Sequence, residues 1–164
     1  MVQTNETSLT FALDQLRWAL ALPHRCGDAD WGQRLGWTLL ALQGALERHA
    51  AFMESPVGVL NQVADPALLP LTRLIRVAHE LRQQHQKFLE RLAALRQQLQ
   101  DLDGELGAGA EGEPAGGLRG EEVRVFLEME ALRRRAEQLL ADMETHRASE
   151  ADLTGLAGRQ QLNN

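Results

Sequence analysis

Five histidines carry most of the chemistry open to this sequence: His24, His49, His79, His85 and His146. His49 and His85 fall on apolar runs spaced three and four residues apart, so a helix turns both inward. His79 does not, because its helical neighbours include Arg76, Arg82 and Gln83. His24 follows the first helical stretch in a loop. His146 continues the last apolar stripe and has Glu150 four residues on. An inward imidazole must satisfy two ring nitrogens away from water. It can bond to a carboxylate or a backbone carbonyl. It can also ligate a metal, since helical bundles build metal sites from inward histidines and carboxylates on facing helices.

Height along the helices decides which side chains can meet. Counted from the turn at Ala64-Asp65-Pro66, His49 and His85 differ by about 6 Å, one helical turn. Counted from the far end of the third helix, the residue level with His85 falls near Gln138. Glu137 then stands at the right height, with Arg133 one turn away. His146 overshoots by roughly 12 Å, although its phase on the stripe is better. On the first helix that level falls near Glu6 or Thr7. Height therefore prefers Glu137 as the fourth helix's contribution opposite His49 and His85. The loop of His24, Cys26, Asp28 and Asp30 reads as a cap and connection more readily than as a soft-metal site. The triplet Arg133-Arg134-Arg135 reads as a solvated helix face. The sequence holds no Cys-x-x-Cys, no Gly-rich phosphate loop and no nucleophile paired with a base.

The elements that position these residues follow from composition and spacing. The chain has 164 residues, no tyrosine and 4% aromatics, and it is rich in leucine and alanine. Sheets favour β-branched and aromatic residues, so an all-α fold is expected. A first helix spans about Thr7 to Leu22, with Leu9, Leu13, Leu16 and Leu20 on one face. A second carries Leu35, Leu39, Leu42, Leu46, His49 and Met53 and is interrupted at Pro56. A third runs from about Ala67 to Asp103. A fourth begins near Glu121, with the stripe Val125, Met129, Leu132, Ala136, Leu139 and Met143. Residues 104–120 contain seven glycines and almost nothing apolar, which predicts a flexible linker. Residues 1–150 are expected to form one up-down-up-down four-helix bundle, followed by a frayed tail at 151–164.

The balance of 17 Lys+Arg against 23 Asp+Glu gives a net charge of -6, which argues against a nucleic-acid binder. The single Cys26 fits a reducing compartment. No apolar run has membrane-spanning length, and the polar start is unlike a signal peptide. A cytoplasmic protein without membrane association is expected.

Three stretches carry a family resemblance. They are His49-Ala50-Ala51-Phe52-Met53-Glu54 followed by Val59-Leu60-Asn61-Gln62-Val63 and Asp65-Pro66, then Leu81 to Leu89 around His85, then Val125 to Leu140. Together they resemble the second, third and fourth helices of hemerythrin-like (HHE cation-binding) domains. The resemblance implies a four-helix bundle that binds iron. The departures reduce the site that it implies. The family's first-helix His has no counterpart, and Met53 stands where the second helix carries its first Glu, while Glu54 keeps the second acid. The fourth-helix pattern His-Glu-x-x-Glu reads Arg133-Arg134-Arg135-Ala136-Glu137. What remains is His49, His85 and Glu137, with Glu54. Two histidines and one carboxylate can hold one Fe(II), Mn(II) or Zn(II), but not two irons.

Two functions compete. One is a sensor, store or carrier of iron or oxygen built on a reduced metal site. The other is a metal-free helical bundle that binds a protein partner, with Glu137 paired to Arg133 and the histidines bonded to carboxylates. Nothing supplies a substrate pocket or a second catalytic group, so an enzyme is not expected.

Overall fold

Each leucine stripe becomes the buried face of a helix. The computed structural model describes residues 2–22, 29–64, 72–109 and 118–161. Among these residues the protein is all-α, with five helices: α1 Val2–Ala21, α2 Ala29–Met53, α3 Val59–Ala64, α4 Thr72–Gly109 and α5 Leu118–Gln161. Leu9, Leu13, Leu16 and Leu20 of α1 are buried, as are Leu35, Leu39, Leu42, Leu46, His49 and Met53 of α2. The expected stripe of α4 is buried from Leu74 through His85 to Leu102. Helix α1 packs on α2 and α5, α4 packs on α2 and α5, and the short α3 lies mainly on α4. No described helix is long and apolar enough to cross a membrane.

Helix α2 ends where Pro56 forbids its continuation. Ser55 closes the end by donating from both its amide and its hydroxyl to the Phe52 carbonyl, at 3.1 and 2.8 Å. The chain then doubles back so tightly that a Cβ at Gly58 would collide with the Phe52 and Met53 carbonyl oxygens. Glycine alone fits that approach. The Gly58 carbonyl accepts from Asn61 and Gln62, which starts α3.

The helix ends differ from the sequence reading. The backbone is helical at 104–109 and from Leu118, so the glycine-rich stretch is partly helix, and 110–117 lie outside the described residues. A glycine costs only about 1 kcal/mol relative to alanine once a helix is propagating. The expected frayed tail is also helical, to Gln161, because Leu153 and Ala157 are buried. The stripe of α5 therefore continues beyond Met143 through His146, Glu150, Leu153 and Ala157 at steps of three and four. The extra turns of α4 move the point of chain reversal and bring a later part of α5 level with His85. Arg91 donating to Asp142 at 2.5 Å and Arg135 donating to Gln98 at 2.8 Å record this register.

The buried apolar residues form two clusters. The larger joins α1, most of α2, the C-terminal half of α4 and α5 up to Met143. The smaller joins Met53, Leu60, Val63, Leu74, Ala78, Leu81, Leu153 and Ala157. Four buried polar residues, His49, His85, His146 and Glu150, lie on the same stripes between them.

Candidate metal centre

Glu150 of α5 is the hub of this polar layer. It is 5% exposed. Nε2 of His49 lies 2.9 Å from one of its oxygens and 3.1 Å from the other. Nε2 of His85 lies 2.9 Å from Oε1. The opposite ring nitrogen of His85 is 3.0 Å from Glu54, at the exposed turn that ends α2. His85 thus spans two carboxylates. The three rings stack edge to face, with centroids 5.5 Å apart for His49 and His85 and 4.8 Å for His85 and His146.

These contacts set the protonation. Burial pushes the Glu150 carboxyl up, but the close approach of His146 and the hydrogen bonds from His49 and His85 outweigh it and hold the group well below the usual carboxylate range. Burial pulls His85 down, and its bonds to Glu150 and Glu54 more than reverse this, so its pKa is raised. A proton on each nitrogen of His85 satisfies both carboxylates.

The other two histidines are less well satisfied. Nδ1 of His49 is buried without a hydrogen-bond partner. Nδ1 of His146 donates to Oε1 of Gln84 at 2.6 Å. Its Nε2 stands 3.1 Å from Glu150 Oε1, yet it is not aligned for a hydrogen bond. A cation between the two, whether a proton on Nε2 or a metal ion, makes this close approach favourable.

His49, His85 and Glu150 each offer a ligand atom, and these atoms lie within 4.8 Å of one another. This buried set can hold a metal ion. Two imidazoles and one carboxylate suit Fe(II), Mn(II), Co(II) or Zn(II). The unpartnered Nε2 of His146, 3.1 Å from Glu150, also fits a cation in this layer.

The structure brings three of the four sequence candidates together. His49 and His85 meet as expected, and Glu54 reaches the far nitrogen of His85. Glu137 does not take part. Its side chain is 48% exposed and accepts from Arg133 Nε at 3.1 Å. The shifted α4–α5 register is the reason, and it puts Glu150 in the place assigned to Glu137. Arg134 and Arg135 are exposed as expected of a solvated face, while Arg133 is half-buried. His24, Cys26 and Asp28 lie outside the described residues, and Asp30 is exposed. Sequence reasoning noted His146 with Glu150 four residues on but set His146 aside on height, did not assign Glu150 to the site, and missed Gln84. The unbroken spacing from Met143 to Ala157 was the signal for the first two.

No family model, curated protein or solved structure matches this chain.

Proposed function

We propose that this chain is a hemerythrin-like protein, an up-down-up-down four-helix bundle that binds a single divalent ion, iron foremost, and does not act as an enzyme. One observation carries the reading: two buried imidazoles on α2 and α4 converge on one buried carboxylate of α5. His49, His85 and Glu150 are the ligands. A bound ion supplies a Lewis-acidic centre with unfilled coordination positions. Glu54 accepts the proton on His85 Nδ1 and so keeps the Nε2 lone pair directed at the centre. Gln84 fixes the ring of His146 beside the centre. Metal uptake displaces the protons that otherwise bridge the histidines and Glu150, so it releases protons to solution.

Elemental analysis of protein purified without chelator, together with calorimetric titration of Fe(II) under nitrogen, tests this. About one ion per chain is expected, lost in His49→Ala and retained in Glu137→Gln. Failure of the unaltered protein to take up any divalent ion would refute the reading.

The second reading is a metal-free interaction module. Exposed Phe11 and Trp18 on α1, with Trp37 and Leu40 on α2, favour it. Absence of metal uptake together with concentration-dependent self-association, or capture by a protein partner, would favour this reading.

A further inference from the structure

A cleft of about 300 Å³ opens beside the metal centre, with His49 and Glu150 in its wall. Leu9, Met53 and Ala151 make its apolar sides, and Arg147 lines it as well. Arg147 is half-buried and forms no ion pair or hydrogen bond with any described residue. Arg124, Arg133, Arg134 and Arg135, earlier on α5, each have a partner. An arginine held back from water and left unpaired beside a cavity is a receptor for an anion, because the guanidinium fork matches a carboxylate with two parallel hydrogen bonds. The remaining polar group of the wall cannot compete, since the Thr154 hydroxyl donates to the Glu150 backbone carbonyl at 2.8 Å.

We infer that this cleft binds a short-chain carboxylate, its charged end shared between Arg147 and the metal centre and its alkyl body against Leu9 and Met53. The inference rests on the metal reading above. Charge supports it: Glu150 and Glu54 together balance only a dication, and Arg147 adds a positive charge that no described carboxylate pairs. Met53 supports it too. A thioether is a poor donor to a hard ion, so it leaves the His49 side of the centre open for a hard oxygen ligand. A volume at the lower end of small-molecule pockets limits the ligand to a few carbons. The apolar walls favour a carboxylate with an alkyl tail over inorganic phosphate.

The test uses the full chain loaded with Co(II), whose visible absorption reports its ligands. Butyrate is titrated in, with acetate and inorganic phosphate as parallel arms. Butyrate is expected to shift the Co(II) bands saturably and to bind more tightly than either comparator. Arg147→Leu is expected to weaken butyrate by about tenfold or more, with Co(II) affinity kept within about twofold, and Arg147→Lys to fall between. Tighter binding of phosphate, an unchanged butyrate affinity in Arg147→Leu, or loss of Co(II) from that variant would overturn the inference. Uptake of Co(II) with no response to butyrate would overturn it alone and leave the metal reading standing. Failure to take up Co(II) at all would overturn both.

Discussion

Replacing Glu150 by glutamine keeps the shape of the hub and removes its charge. In the metal-free protein the carboxylate accepts from His49 Nε2 and His85 Nε2, both at 2.9 Å, with His146 Nε2 at 3.1 Å. A hydrogen bond to a charged group contributes about 1.5–3 kcal/mol, and two such bonds set a scale of roughly 3–6 kcal/mol. Relief of the cost of burying the ion offsets part of this. Removing one partner of a buried pair typically costs about 3–5 kcal/mol, which we take as the expectation. For a chain of this length each kcal/mol lowers the melting temperature by about 2–4 °C, so a fall of roughly 6–20 °C is expected. Denaturant unfolding in the presence of a chelator measures it. Glu137→Gln is the control, because its exposed pair with Arg133 contributes at most about 1 kcal/mol. A Glu150→Gln variant as stable as the control would show that the polar layer does not hold the helices together.

Acid–base behaviour should follow from the same contacts. The raised pKa of His85 gives stability that is complete below about pH 6.5 and lost as pH rises through the raised value. The lowered pKa of Glu150 gives stability that is present above about pH 4.5 and lost only in strong acid. The metal-free protein should therefore be most stable between those limits and weaken as pH rises above them, and a denaturation midpoint that rises there would contradict the assignment. Diethyl pyrocarbonate should modify exposed His79 well before buried His49 and His85, with mass mapping as the readout. Met53→Glu should strengthen Fe(II) binding tenfold or more in calorimetry, because Met53 shares the cleft wall with His49 and Glu150. Leu153→Ala should cost about 2–5 kcal/mol if the end of α5 packs as described, and a neutral effect in thermal unfolding would detach that end from the core.

The helical class is legible in the sequence because apolar residues, mostly leucines, recur at three and four residues in every long element, and nearly all of those positions are buried. His49 and His85 are legible for the same reason, since they interrupt stripes that otherwise hold only apolar residues. The fourth helix is harder to read. Gly155, Gly158 and a polar composition look like a fraying end, whereas Leu153 and Ala157 keep the stripe and anchor the helix. Counting from Asp103 favours Glu137, but α4 continues to Gly109, and a few residues of extra helix move the facing side chain by several ångströms. Local spacing fixes which way a side chain points. Its height opposite a neighbour depends on where a helix stops, and glycines that remain helical conceal that point.

The layer of three histidines and one glutamate also bears on how the chain chooses among its own packings. The apolar stripes of α2, α4 and α5 are repetitive, and sliding one helix by seven residues leaves mostly apolar side chains facing apolar ones. Apolar burial alone distinguishes such shifted copies poorly, because it depends on area and not on identity. The same slide would carry Glu150 away from His49 and His85 and strand a carboxylate among leucines. A buried charge without partners costs several kcal/mol, so each shifted arrangement is penalised where the native one is satisfied. The polar layer therefore acts as a positional key. It opens an energy gap between one alignment and its near-duplicates, and the leucines on either side supply cohesion that would serve many alignments equally well.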